Sequence, residues 1–216
     1  MSTLQTLPLF SHLSAAHLEN IAQLAQPRHL AANSLLWTRG DQLDALVVLT
    51  RGRFKVILNS EDGREVTLNV MTAPSYLGDM SVLERTTHSA TVMAIEPCDF
   101  LWIPGSDFRH LMEQHPRVVW ELLVAQTMRV RILSEELASL AFLTTCRRVA
   151  RKILQLAGDK NVVGVSHQEL AGLVGSTRES VTRALSELEH QGLLHTHKGR
   201  VEVVSAAGLR GMLEET

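Results

Sequence analysis

The chain has 216 residues, 45% of them hydrophobic and 20% charged, and a net charge of −2. That length holds one large domain or two small ones with real cores, and near-neutrality excludes a protein whose whole surface grips nucleic acid. Two cysteines, Cys98 and Cys146, lie far apart without CxxC spacing, which excludes a Cys-rich zinc site or an iron–sulphur cluster and suits a reducing cytoplasm. They read as small buried apolar residues. The first ten residues, MSTLQTLPLF, lack the basic start and long apolar core of a signal peptide. No run approaches the ~20 apolar residues of a membrane span, so the expected location is cytoplasmic.

Residues 4–26 carry Leu4, Leu7, Leu9, Phe10, Leu13, Leu18, Ile21 and Leu24 at helical spacing, and Pro27 closes this lead-in. From Arg28 to about Pro104 short apolar or alternating runs follow one another. They are Ser34–Trp37, Ala45–Leu49, Phe54 to Leu58, Val66 to Val70, Ala90–Ile95 and Phe100–Ile103. Turn signals at Arg39-Gly40-Asp41, Arg51-Gly52, Asp62-Gly63, Pro74 and Gly78 separate them. Many short strands so spaced predict a small antiparallel barrel or roll. Gly78-Asp79 breaks the alternation. A glycine opening a short helical turn exposes backbone N–H groups that can cradle an anion, Ser89 can add a hydroxyl, and Asp79 can hold a sugar hydroxyl. A plain loop accounts for the same residues.

From about Ser106 to Leu140 the pattern becomes one long helical stretch. Val119, Leu123, Gln126, Val130, Leu133, Leu137 and Leu140 alternate in steps of four and three, the heptad seam of helices that pair, and a helix packed against its own domain accounts for the same spacing. Gln126, the lone polar seam residue, is placed to fix register. Leu122, Met128 and Ile132 lie off the seam, so a second side of the helix is apolar.

The heptad ends near Phe142, and Cys146–Gly158 forms a new basic helix with Arg147, Arg148, Arg151 and Lys152. The expected parts are 1–107, a roll; 108–143, a pairing helix and hinge; and 144–216. Charge follows this order mildly: acids lead bases 15 to 11 before Ala141, and bases lead 10 to 8 from there on. Ser166 to Gly192 reads as two short helices joined at Gly175, with capping boxes expected at Ser166/Glu169 and Ser176/Glu179. On the second helix Val181, Ala184, Leu185 and Leu188 fall on one arc. Arg178, Glu179, Thr182, Arg183 and Ser186 fall on the opposite arc. A helix with a buried back and Arg, Glu, Arg in front suits a DNA major groove, where Arg chelates guanine and Glu accepts from cytosine. Leu193 to Val204 reads as a hairpin turning at Lys198-Gly199, a wing whose Lys198 and Arg200 reach a phosphate. Ser205 caps a last helix. No metal-ligand cluster and no catalytic nucleophile–base pair stands out.

A glycine-punctuated roll, a pairing helix and a winged helix-turn-helix, in that order, resemble the Crp/Fnr family, that of the bacterial cyclic-AMP receptor protein and the fumarate–nitrate reduction regulator. The residues that carry the resemblance are Arg39-Gly40-Asp41, Gly52, Gly63, Gly78-Asp79, His88 to Thr91, Leu140 to Leu143, Gln168 to Ala171 and Gly175 to Arg183. It implies an α+β chain. Its parts are an N-terminal β-roll like a cyclic-nucleotide-binding jelly roll, a long dimerisation helix and a C-terminal winged helix-turn-helix. It implies a dimeric, non-enzymatic transcription regulator with double-stranded operator DNA and RNA polymerase as partners and no membrane. The DNA-binding set is then Arg178, Glu179 and Arg183, which match the family's readers of a TGTGA half-site, with Ser166, His167, Ser176, Thr177, Thr182, Lys198 and Arg200. The effector set is Gly78, Asp79, Met80, Ser81, His88, Ser89 and Ala90, with Leu133 and Ser134 from the long helix.

The effector implied is cyclic AMP or another nucleotide. The match departs from the family there: Asp79 replaces a glutamate, His88 stands at the position of a phosphate-neutralising arginine, and apolar Leu133 stands at that of an adenine-contacting threonine. Two other readings compete. In one the roll is a scaffold and DNA binding needs no effector; in the other the chain is a ligand-binding module acting on a protein partner.

Overall fold

The computed structural model describes residues 3–59, 65–158 and 161–214. The apolar lead-in is not one helix. It forms two 3-10 turns, Thr3–Thr6 and Pro8–Phe10, and then α1 (Ala15–Leu24). Ser14 caps α1, its hydroxyl accepting from the His17 N–H, which satisfies one of the orphan donors of a first helical turn. Pro27 does close the helical part, but it already lies inside a strand, β1 (Gln26–Leu30). β1 sits at the edge of its sheet, where the missing N–H of a proline is tolerated.

The remaining strands are β2 (Leu35–Trp37), β3 (Ala45–Arg51), β4 (Arg53–Asn59), β5 (Glu65–Thr72), β6 (Ser75–Leu77), β7 (Thr91–Ala94) and β8 (Cys98–Pro104). They form two four-stranded sheets, ordered β1-β8-β3-β6 and β2-β7-β4-β5. β1 and β6 are additions to the expected strands. One is largely polar and the other only three residues long, so neither shows a period in sequence. The turn expected at Asp62-Gly63 lies outside the described residues.

β3 shows why a continuous apolar run appears where alternation is the rule. Val47 and Leu49 point into the space between the sheets with Phe54, Val92 and Phe100. Leu46 and Val48 point the other way, into a helical layer that contains Phe10, Phe108, Val118 and Leu122. A strand buried on both faces carries apolar side chains at every position.

Between the sheets' strands lies a short helix, α2 (Asp79–Glu84), and after β8 come α3 (Gly105–Gln114) and α4 (Pro116–Phe142). The single long helical stretch expected from Ser106 to Leu140 is therefore two helices. Pro116 is the reason, because its ring disfavours helical backbone at the preceding residue; His115 adopts φ −128° and ψ 83°. Proline at the first position of the new helix is well tolerated. No helix among the described residues is long and apolar enough to cross a membrane.

The chain divides into two compact units, Met1–Gly63 with Leu68–Val130, and Arg64–Thr67 with Arg131–Thr216. The second contains α5 (Thr145–Ala157), β9 (Val162–Val163), α6 (His167–Val174), α7 (Arg178–His190), β10 (Leu194–His197), β11 (Arg200–Val203) and α8 (Ala206–Glu214). β10 and β11 are the expected hairpin, and Gly199 at φ 74° makes its turn. A third strand, β9, pairs with β11; two residues long, it has no sequence signal. Val149, Ile153, Leu170, Leu185, Leu188, Leu194 and Leu209 form the centre of this unit's core. Ile153→Ala removes a fully buried side chain and is expected to destabilise this unit by about 2–5 kcal/mol, read as a lower melting temperature with unchanged helical circular dichroism at 15 °C.

Candidate functional site

Two sites emerge, one in each unit. The first is built on α2. Gly78 stands at its N-cap with φ 90°, a left-handed conformation available to glycine at little cost. A side chain there would also collide with the Ala45 carbonyl oxygen. Ser81 donates its hydroxyl back to the Gly78 carbonyl (2.9 Å). From outside, Arg109 on α3 grips both carboxylate oxygens of Asp44 (2.7 and 2.8 Å) and donates to the Val82 carbonyl (3.1 Å). The loop of Arg39-Gly40-Asp41 is tied to the strand side. Gly40 donates to the His88 carbonyl and the His88 N–H to the Asp41 carbonyl, each at 2.9 Å, while the Asp41 carboxylate accepts from the Thr38 N–H (2.8 Å). That last bond, the largest effect on its titration, holds the Asp41 carboxyl below the ordinary range.

His88 does not project as a ligand group. Its ring lies flat on the indole of Trp37, centroids 3.9 Å apart and planes within 2°, and the residue is 5% exposed. Nδ1 lies 3.2 Å from the Ser81 hydroxyl. Since that hydroxyl's proton goes to Gly78, Nδ1 is the donor and the neutral ring leaves Nε2 bare. Nε2 finds no partner among the described residues. Burial pushes the His88 imidazole below its ordinary value, against a weaker opposing effect of Asp41. Ser89, by contrast, is exposed, as is Met80, while Ala90 and Ser81 are buried.

Asp79 is buried, and one carboxylate oxygen takes two donors from α4: Gln126 Nε2 at 2.5 Å and the Arg129 guanidinium at 2.6 Å. Arg129 also lies over the ring of Tyr76, whose hydroxyl is pushed up to about 12, first by burial and then by the Asp79 charge. Arg129 and Trp37 escaped the sequence reading. Arg129 carried a readable signal, because it follows Val118, Leu122 and Gln126 in steps of four, four and three. An arginine on the line that faces the roll requires an acid there.

The other face of α4 is apolar and uncovered in the single chain. Val119, Leu123, Val130, Leu133, Leu137 and Leu140 are between 44% and 68% exposed. Gln126, expected among them as a register-fixing residue, has its amide on Asp79. Leu133 and Ser134 are exposed further along the same helix.

The second site is α7 with its surroundings. The capping box at Ser166/Glu169 is complete: Ser166 accepts from the Glu169 N–H and Glu169 from the Ser166 N–H. Gly175 ends α6 at φ 59°, ψ 50°. The second expected box is shifted by one residue. The Ser176 N–H is still bonded to Ala171 of α6 (3.0 Å), so Ser176 belongs to the turn. Thr177 is the N-cap, accepting from the Ser180 N–H at 3.2 Å, which leaves the Glu179 carboxylate outside the cap.

Val181, Ala184, Leu185 and Leu188 are buried; Arg178, Glu179, Thr182, Arg183 and Ser186 are exposed. Thr182 donates to the Arg178 carbonyl (2.9 Å) and so accepts from His167 Nδ1 (2.9 Å), which ties α6 to α7. Arg183 rests on the Ser180 hydroxyl (3.3 Å). Glu189 near the end of α7 accepts from both the Thr196 N–H (2.9 Å) and its hydroxyl (2.6 Å), fixing the hairpin to the helix. The exposed Lys198 and Arg200 flank its turn.

Residues 27–115 match the cyclic nucleotide-binding domain and residues 147–212 the Crp-like helix-turn-helix domain. Over 210 residues the chain is 30% identical to the cyclic AMP receptor protein of Thermus thermophilus, covering 96% of this chain and 95% of that one. The chain belongs to the Crp/Fnr family of transcriptional regulators. Another member, the cAMP-activated global transcriptional regulator Vfr of Pseudomonas aeruginosa, is 28% identical over 200 residues, 87% of this chain and 93% of that one. The crystal structure of the Thermus thermophilus catabolite activator protein superposes with a TM-score of 0.58 at 29% identity, covering 95% and 98% of the two chains. As a Crp/Fnr member the chain is a DNA-binding transcriptional regulator with a cyclic nucleotide-binding domain, and not an enzyme.

The buried His88 ring carries a pH consequence. Its folded-state pKa lies below the unfolded value, so its contribution to stability is present above an imidazole's ordinary value of about 6.5 and is lost as pH falls below it. The N-terminal unit is expected to melt at lower temperature at pH 5 than at pH 7, with a slope of at most about 1.4 kcal/mol per pH unit from this group. His88→Gln is expected to flatten that slope in thermal unfolding followed by tryptophan fluorescence.

Proposed function

We propose that this regulator acts in the cytoplasm as a homodimer paired along α4 and reads a palindrome near TGTGA-N6-TCACA. The observation that carries the reading is α7: four apolar residues anchor it, and Arg178, Glu179 and Arg183 stand forward with the cap met by Thr177. A bidentate arginine on guanine and a carboxylate accepting from cytosine N4 discriminate base pairs in the major groove. Ser166, His167, Ser176, Thr177 and Thr182 border the groove, and Lys198 and Arg200 supply phosphate contacts that position without specifying. Two-fold pairing sets two half-sites about one helical turn, roughly 34 Å, apart. RNA polymerase is the proposed protein partner once the dimer is on DNA.

In this reading a cyclic nucleotide, or another small molecule, enters the roll at Gly78 to Ala90, with Leu133 and Ser134 added from the long helix, and sets the attitude of the readers. The Thermus thermophilus relative is a cyclic AMP receptor protein and the Pseudomonas aeruginosa relative a cAMP-activated regulator, which supports a nucleotide. One observation favours the second reading, a roll that serves as scaffold while DNA is bound without effector. The Asp79 carboxylate already holds two donors from α4, and the ring at position 88 is folded away.

Arg183→Ala is expected to lose roughly 1–3 kcal/mol of operator affinity and to relax preference at one base position; equal preference for operator and scrambled DNA in wild type and variant would sink the groove assignment. Leu137→Lys puts a charge on the uncovered apolar seam and is expected to yield monomers in sedimentation velocity. An intact dimer would count against pairing through α4.

A further inference from the structure

We propose that a cleft between α1 and α3 of the N-terminal unit is a second ligand site, one that takes a monocarboxylate with an apolar chain of about eight carbons, its head between His17 and His115. It lies outside the effector residues of the roll and depends on neither reading of them.

The cleft holds about 340 Å³, within the range of small-molecule sites. Its floor is apolar, made by Ile21 and Leu24 of α1 with Ile103, Phe108 and Leu111. Ile21, Ile103 and Phe108 are buried, while Leu24 is 51% exposed. The imidazoles of His17 and His115 meet edge to face on its wall, ring centroids 4.3 Å apart. Ser14 accepts from the His17 N–H (3.3 Å) and stands 2.9 Å from His17 Nδ1. The hydroxyl proton therefore goes to Nδ1, and the neutral His17 ring carries its hydrogen on Nε2. Neither ring nitrogen of His115 has a hydrogen-bond partner among the described residues. Two adjoining imidazoles with donors unspent call for an acceptor, and a carboxylate has an oxygen for each of them.

Charge decides the class of ligand. Burial first, and then the neighbouring His17, holds the His115 imidazole below its ordinary value. An anion lodged between the rings offsets their mutual repulsion and supplies charge-assisted bonds. The acids of the surrounding elements do not serve that purpose. Glu113 stands 3.6 Å from His110, and Glu121 accepts from His12 (2.9 Å). Glu19 and Arg117 are exposed and do not line the cleft. Asp107 does line it, about two turns of α3 from His115, roughly 11 Å. A second carboxylate on the ligand would face Asp107, so the cleft suits one acid group followed by an apolar chain. A metal ion held by protein would need a third side-chain ligand, and no group of three His, Cys, Asp or Glu able to hold one exists among the described residues. His115 is also the residue between α3 and α4, so a ligand held there ties α1 to the start of the long helix.

The test is isothermal titration calorimetry of sodium octanoate into the full-length protein at pH 6.0 and pH 8.0, with octan-1-ol as the uncharged control. Octanoate is expected to bind at least fivefold more tightly at pH 6.0, with proton uptake read from the dependence of the heat on the buffer's ionisation enthalpy. Octan-1-ol is expected to show no such pH dependence. His115→Gln is expected to flatten the pH dependence of octanoate and to lose at least fivefold in affinity at pH 6.0. Leu24→Glu, at an exposed position, sets a carboxylate beside the chain and is expected to weaken octanoate tenfold or more at unchanged melting temperature.

The Cε1–H proton resonance of His115, assigned by its absence from His115→Gln, reports where the ligand sits and is expected to shift as octanoate is added. Octanoate that binds with that resonance unmoved, and as tightly to Leu24→Glu as to wild type, sits elsewhere, and the proposal falls. It falls equally if octanoate fails to bind at millimolar concentration at pH 6.0, or if octan-1-ol follows pH in the same way.

Discussion

A carboxylate out of water governs the N-terminal half of this regulator. Burying an ion costs several kcal/mol unless partners replace its hydration, so Asp79 obliges the chain to bring donors to it, and α4 brings two. That demand fixes which side of α4 faces the roll. With Val118 and Leu122 buried on the same line, the remaining apolar stripe is turned outward. The surface proposed to pair two copies is thus a consequence of where one acid has to be satisfied.

The frame around α2 is assembled from interactions that are individually ordinary. Arg109 holds Asp44 and the Val82 carbonyl, the loop at Gly40 is bonded to the backbone of His88, and Gly78 allows an approach to β3 that a side chain would block. These bonds hold the turn of α2 without using the carboxylate of Asp79 or the ring of His88. The His88 imidazole is stacked on the Trp37 indole and bonded to Ser81.

In the C-terminal unit the same logic serves the opposite end. α7 is anchored by buried aliphatic residues, braced to α6 through His167 and Thr182, and braced to the hairpin through Glu189 and Thr196. None of these braces uses the side chain of Arg178 or Glu179, and the Arg183 guanidinium makes a long contact with Ser180. The groups proposed to read DNA are left free by a scaffold that satisfies itself without them. The Thr177 cap matters in this respect, because a capping box at Ser176 would have tied the Glu179 carboxylate to backbone.

Helix α7 was legible in the sequence down to its arcs, because an amphipathic helix shows its buried face through the 3.6-residue period whatever packs on it. The strands of the roll were legible where they alternate or run apolar, as in β3, β4 and β8. β1, β6 and β9 were not, since short or polar strands owe their existence to the neighbour that pairs with them. The break at His115 was written in Pro116, but the heptad running past it outweighed one residue. What only the tertiary structure decided is the occupation of Gln126, His88 and Asp79. A polar side chain's partner is set by what lies within hydrogen-bond reach after folding, and Asp79 meets Gln126 and Arg129 across 47 and 50 residues of chain, a separation over which sequence pattern carries no distance.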